Sequence, residues 1–540
     1  MEHSTAALNA SEEIKPYRIH VSSKYLELTK KKLELTRLPH ELLLPKAREW
    51  EFGTPKGVVE PLIDFWLEHY TWRSREEALN TALPQFRTAI ALPPSATTTP
   101  EESSTPKPPL RIHFIHLRSP HPHAIPLLLL PPFPLTNLSL SSSPIFAQLT
   151  NPESPTSTQA FHIICPSIPG LGFSDAFTDP SCHTSNSTIL DETAYLFNTL
   201  MLRLGYNHYL CSTTGSGRES PAGVDYHLAR ILGSTYPENC LAVHVVEPCI
   251  SPPRMGKEIL AWMKYNVAKF FHANIWGYAS EDWTALRVST SASRTSRRNE
   301  TRHEERRSLI QAGSRAGCGN GYGAISVLGL REPTTLSYAL CDSPVGLLSL
   351  ICSALQRANP EHKLSEEQII DITQLAWLPG PEAGMRFWAT AVKDFPCLSN
   401  LNSTSDDNRN ANELRKRRRK SRIAITVFNA DGSDSSLGYI CPAWASNSHD
   451  LVFAQRVPGN AGLTIWERSD VLLAGIRGLA GAMDALDPAF RIHVRTLEGV
   501  VVPRDERQVP VVEESREEEE GHGMQLDVES PDTIVAADIS

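Results

Sequence analysis

The sequence predicts an α/β fold, a mostly parallel sheet flanked by helices, and three observations carry that prediction. Short continuous apolar runs recur, among them AIPLLLL at 124–130 and FHIICPS at 161–167. They lack the alternation of a half-exposed strand, as expected for strands buried on both faces. Helical stretches lie between such runs, notably Leu190 to Leu204. The succession of strand, sharp turn and helix then repeats, as at HYLCS (208–212), a glycine-containing turn and DYHLARILGSTYP.

From the N-terminus, residues 15–92 form a compact segment. Leu26, Leu33, Leu38 and Leu42 to Leu44 fall at helical spacing, and a helix from Val58 to Tyr70 carries Phe65 and Trp66 on its buried side. A second helix begins after Trp72, with Ser74 as N-cap and Glu77 three residues on, the pattern of a capping box. Residues 93–109, rich in Pro and Thr, read as a linker. From Arg111 the pattern turns to strands: RIHFIHLRS (111–119), the two apolar runs above, HYLCS, and later IAITVF (423–428) and DLVFAQRV (450–457).

The chain has 540 residues, 41% of them apolar and 21% charged, with a net charge of −9, the profile of a soluble globular protein. Nothing in that balance calls for nucleic acid. Three stretches break it: 287–320 and 399–422 are Ser-, Arg- and Asn-rich, and 504–540 is an acidic tail. All three are expected to be disordered, and the basic run Arg415 to Arg422 reads as part of a solvated insertion. The ten cysteines include no C-x-x-C pair, and Cys165 and Cys211 lie inside apolar runs as small hydrophobes, which suggests a reducing compartment. The most apolar stretch, Ala124 to Leu130, is far shorter than the roughly 20 residues a membrane span needs. The expectation is a cytoplasmic protein with no signal peptide, no membrane span, no cofactor and no metal.

Six segments carry a resemblance: DFWLEHYTWRSREEALN (64–80) with PQFRTAI (84–90), RIHFIHLRS (111–119), FHIICPSIPGLGFS (161–174), LMLRLGYNHYL (200–210) and EPTTLSYALCDSPVGLLSLI (332–351). In content and order they resemble the epoxide hydrolases that have an N-terminal meander, of which the membrane-anchored microsomal enzyme is the familiar member. The resemblance implies an α/β-hydrolase core over 110–255 and 422–500, a helical cap over 256–400 interrupted by 287–320, and a meander over 15–92. A counterpart to the microsomal anchor is not found.

Enzymes of that family open an epoxide with a carboxylate held on a strand-to-helix elbow, then hydrolyse the resulting ester with a His-activated water. Each role can be checked against this chain. The elbow falls at Thr213-Thr214-Gly215-Ser216-Gly217, which puts Gly215 where the nucleophile should be. Ser216 could replace it if the turn shifts by one residue; otherwise Gly-Ser-Gly is simply a flexible turn. Asp225 reads as a dipole partner in the first turn of the next helix. The acid belongs in the loop after IAITVF, where Asp431 and Asp434 stand, either as the charge-relay group or as turn aspartates. The catalytic His position falls on Gly462 in PGNAGLTIWER, while His449 and His493 lie at unsuitable places in the sheet order.

Two supporting groups are implied as well. The oxyanion loop corresponds to Pro131-Pro132-Phe133-Pro134-Leu135, in which Phe133 keeps a backbone N–H able to donate. Tyr322 matches one ring-opening tyrosine of the cap and Trp388 falls at the other, with aromatic packing as the alternative for both. Three readings result. One is an epoxide-hydrolase-like protein of weak or no activity, acting on a small apolar epoxide between core and cap. Another is a catalytically silent protein that binds a lipid-like molecule there, and the third is a serine hydrolase built on Ser216.

Overall fold

The computed structural model describes residues 13–41, 43–93, 108–154, 158–178, 187–217, 220, 223–255, 258–288, 332–394, 420–429, 439–487 and 490. Its centre is a nine-stranded sheet: β1 Lys15–Pro16, β2 Gln85–Ile90, β3 Leu110–Leu117, β4 Ile125–Leu130, β5 Phe161–Pro166, β6 Tyr209–Ser216, β7 Cys240–Val246, β8 Ser421–Asn429 and β9 His449–Pro458. The spatial order is β1-β2-β3-β5-β4-β6-β7-β8-β9. The strands from β5 to β9 in that order run parallel, whereas β1, β2 and β3 add on antiparallel at one edge.

The continuous apolar runs have a direct cause. Leu128, Leu130, Ile164, Cys211 and Val243 face one layer, where helices α4 (Ile189–Arg203) and α5 (Val224–Thr235) pack. Leu127, Leu129, Ile163, Cys165 and Leu210 face the other, which is closed by α11 (Ser469–Leu486). With both faces covered, no position of β4 needs to be polar, and all six of its residues are buried. Between β7 and β8 the chain leaves the sheet and forms α6 (Ile259–Phe271), α7 (Pro333–Asp342), α8 (Pro344–Ala358), α9 (Glu366–Trp377) and α10 (Glu382–Asp394).

Residues 13–93 contribute α1 (Ser23–Glu34), α2 (Lys56–Glu68) and α3 (Trp72–Ala82). They do not stand apart from the core: β1 and β2 extend its sheet, and Arg87 and Arg111 close on Asp175 at 2.8 and 2.9 Å. The same segment reaches the cap. Leu33, Val59, Leu62, Ile63 and Trp66 bury against Val345, Leu348, Leu355 and Ile370. Asp371 accepts from the Tyr70 hydroxyl at 2.8 Å and pairs with Arg75 at 2.6 Å.

Local expectations fare unevenly. Helix α4 starts one residue before its predicted place because Thr188 and Asp191 form a reciprocal capping box. The box expected at Ser74 and Glu77 does not form: α3 begins at Trp72, and its N-cap is Thr71, without a side-chain cap. The apolar spacing extended too far at Leu43 and Leu44, since α1 ends at Glu34 and Leu43 is fully exposed; Leu42 lies outside the described residues. The strand read as 208–212 runs on through Gly215 to Ser216, which reshapes the presumed elbow. Among the described residues no single helix is long and apolar enough to cross a membrane, and no cluster of His, Cys, Asp and Glu could hold a metal ion. The three compositionally odd stretches, 287–320, 399–422 and 504–540, lie almost wholly outside the described residues.

Candidate functional site

In an open parallel sheet a crevice forms where consecutive connections depart to opposite sides of one strand. Here that strand is β4, with β5 on one side and β6 on the other. A cavity of about 340 Å³ opens at its carboxyl end. Its floor comes from the loop after β4 (Pro132, Phe133) and from Thr214, Gly215 and Ser216 of β6. Leu340, Leu347, Ile351, Ile372, Met385 and Trp388 of α7 to α10 supply an apolar roof, and Gly462 to Trp466 close one side. Such a space suits a small, largely apolar molecule.

The floor differs from a nucleophile elbow. A register irregularity between Ser212 and Ser216 lets β6 continue, so that Ser216 still pairs with Val246 of β7. Gly215 therefore lies in extended strand rather than in a strained turn. A Cβ there would stand 2.6 Å from Pro132 Cβ, closer than real atoms approach, so the chain as folded admits no side chain at this position. Ser216 does reach the cavity, but its hydroxyl donates to Glu247 Oε2 at 2.9 Å and touches no imidazole. A serine nucleophile needs a base that also returns the proton to the leaving group, and that partner is missing among the described lining residues.

Asp225 adds most to the sequence reading. It occupies the first turn of α5, as expected of a helix-dipole partner, and its side chain also makes a bond outside that helix. Oδ1 accepts from the Phe133 N–H at 3.0 Å, the donor assigned to the oxyanion loop. Oδ2 lies 3.3 Å from the point where a Cβ on Gly215 would stand and has no hydrogen-bond partner. The residue is 2% exposed and borders the cavity. Burial pushes its carboxyl up to about 7, against the opposing effects of the Phe133 N–H and the Ser220 hydroxyl. The signal that could have found it is an acidic residue within an otherwise apolar run, since Val224, Tyr226, Leu228 and Ala229 beside it are all buried.

No histidine lines the cavity among the described residues. Gly462 does border it, at φ +51°, and a Cβ there would come within 2.5 Å of Glu467 Oε2. Glu467 is itself fixed by Asn359 at 2.8 Å and by the Leu463 N–H at 2.9 Å, so the loop is built around the glycine. His449, the first residue of β9, is buried at the amino end of the parallel strands, bonded to Ser421 Oγ at 2.7 Å and to the Tyr226 hydroxyl at 3.0 Å. Trp388 lies on α10 in the cavity wall, 8% exposed. Tyr322, Asp431, Asp434 and His493 fall outside the described residues.

Comparison with known proteins agrees with this architecture. Residues 14–140 match the family described as the epoxide hydrolase N terminus. A protein of Stigmatella aurantiaca assigned by name to the epoxide hydrolases is 27% identical over 391 residues, 71% of this chain and 70% of that protein. Juvenile hormone epoxide hydrolase 1 of Ctenocephalides felis is 26% identical over 239 residues, 44% of this chain and less than half, 43%, of its own length. Among solved structures, the juvenile hormone epoxide hydrolase of the silkworm Bombyx mori superposes with a TM-score of 0.60 over 88% of this chain and 96% of its own, at 19% identity. The chain thus shares the α/β-hydrolase fold of these structures and carries, over residues 14–140, a segment that matches the epoxide hydrolase N terminus.

Proposed function

We propose that this protein receives a small apolar molecule, an epoxide or a related lipid-like compound, in the cavity between sheet and cap, and that it converts epoxides to diols weakly or not at all. The observation that carries this reading is the pairing of an intact apolar cavity with glycine at both Gly215 and Gly462, and with no imidazole among the described lining residues. Loss of a triad member leaves about 10³ to 10⁴ of acceleration over the uncatalysed reaction, supplied by binding and oxyanion donors. Loss of two members that act as a unit costs little more than loss of one. The serine-hydrolase reading is less well supported, because Ser216 is bonded to a carboxylate rather than to a base that can shuttle a proton.

The test is to incubate purified full-length protein with styrene oxide and follow styrene glycol by chromatography. Binding is followed in parallel through the fluorescence of Trp388 and Trp466, both in the cavity wall. We expect saturable binding with diol formation no more than about 10³ to 10⁴ times the uncatalysed rate. Diol production at the turnover of an ordinary enzyme, roughly 1 s⁻¹ or more, overturns the reading, and so does the absence of any saturable binding.

A further inference from the structure

The unpartnered oxygen of Asp225 is the one feature of the cavity that the reading above does not use. Buried polar groups are almost always hydrogen-bonded, and one left alone beside a ligand space points to a ligand or a reaction. Three geometric facts converge on it. Oδ2 lies 3.3 Å from where the first side-chain atom of Gly215 would be, so the carboxylate from α5 lies beside the strand position to which the nucleophile was assigned. Oδ1 is held by the Phe133 N–H at 3.0 Å, which fixes one oxygen and leaves the other to react. The Asp225 N–H is itself anchored, donating to Ser220 Oγ at 3.3 Å, so the residue that presents the carboxylate is fixed at its own backbone.

We propose that Asp225 is the nucleophile of this protein: a carboxylate moved from the strand end to the following helix, which captures an epoxide as a covalent ester. This rests on the cavity reading given above. In the step, Asp225 Oδ2 forms a bond to one ring carbon, and that carbon's bond to the ring oxygen breaks. The electron pair stays on the departing oxygen, which takes a proton from a water molecule and becomes a hydroxyl, the rest of that water leaving as hydroxide. The product is a hydroxyalkyl ester of Asp225, whose carbonyl oxygen is Oδ1 and remains bonded to the Phe133 N–H. Charge that develops on Oδ1 when water later attacks the ester would be stabilised by the same donor. With Gly462 where an activating histidine is expected, that second step is slow. The chain forms the ester faster than it releases it.

The arrangement also fits the surroundings. Removal from bulk water weakens the solvation of a carboxylate and strengthens it as a nucleophile. Apolar side chains of the roof, among them Leu340, Leu347 and Met385, line the same cavity and suit the hydrocarbon part of such a molecule.

Intact-protein mass spectrometry after incubation with styrene oxide tests this, with D225N as the control and the fluorescence assay reporting cavity binding in both proteins. The expected result is one added styrene oxide mass on the natural chain, mapped to the peptide containing Asp225, reduced at least tenfold in D225N while binding is retained. Saturable binding without an adduct, or an adduct that persists undiminished in D225N, overturns the assignment and leaves the cavity reading standing. Absence of binding in both proteins removes the cavity reading and the nucleophile with it. Steady diol formation abolished in D225N, with solvent ¹⁸O appearing in the Asp225 carboxylate, keeps the assignment and overturns weak turnover alone.

Discussion

The sheet and the cavity floor treat buried ionisable groups in opposite ways. Within the sheet His244 is bonded at both ring nitrogens, to Ser212 Oγ and Thr426 Oγ1, each at 2.9 Å. His449 is likewise bonded at both, His113 meets Gln85 and Asn137, and His116 meets the Tyr206 hydroxyl. Burial holds His113, His116 and His244 down to about 3 and His449 to about 4, so all four are neutral cross-links at ordinary pH. At the cavity Asp225 is equally buried, but one of its oxygens is unmatched. The imidazoles of the core serve packing, whereas the one carboxylate among the described lining residues of the cavity is held at a cost to stability. Polar groups kept on such terms mark sites of function more often than sites of folding.

The sharpest way to break that contrast is pH. The Asp225 carboxyl rises from 3.8 in an unconstrained chain to about 7 in the folded one, so the folded state holds the proton more tightly. Its contribution to stability is complete below about pH 4 and is lost as pH climbs through about 7. Measured by urea unfolding, the stability of D225N relative to the natural chain should therefore swing by about 4 kcal/mol in favour of the variant between pH 4 and pH 8. A flat difference would show that the carboxyl of Asp225 binds its proton no more tightly in the folded chain than in the unfolded one. The next effect in size is H244A, expected to lose about 3 kcal/mol at pH 8, because it removes two buried hydrogen bonds and the packing against Gly475, and about 2 kcal/mol less than that at pH 5, where keeping the imidazole neutral already costs the natural chain stability. A loss below about 1 kcal/mol at pH 8 would show that the imidazole is dispensable as a cross-link. The smallest effect belongs to S216A. It should change stability by about 1 kcal/mol, leave styrene oxide capture unaltered, and match a natural chain that a fluorophosphonate probe does not label. Labelling of Ser216 would restore the serine-hydrolase reading.

The layout of the fold was largely legible and that of the site was not, for a physical reason. Burial on both faces imposes a composition on each strand by itself, so AIPLLLL and FHIICPS announced β4 and β5 without reference to anything distant. Helix α4 was readable to within a residue at each end because its apolar period is strong, and its first residue is set by a local cap. The site depends on what happens between elements. Thr213, Thr214 and Ser216 fit strand or turn alike, and only pairing of Ser216 with Val246 decides for the strand. Asp225 follows Gly215 by ten positions, and nothing local says that the chain turns back to place the carboxylate beside it. The absence of an imidazole, by contrast, was visible at once, since Gly462 offers no side chain for any fold to position.

The N-terminal segment has one more consequence. A single stretch of backbone runs from the added strands β1 and β2, at the sheet margin, to the apolar contact of α2 with α8 and α9 and the Tyr70–Asp371–Arg75 clasp. The lid over the cavity is therefore laced to the platform beneath it by a strap anchored at both ends. On the proposed reading, a bulky guest that needs the lid raised would have to stretch that lacing, although no described residue of the segment lines the chamber. Loosening the clasp is then expected to widen the range of molecules admitted.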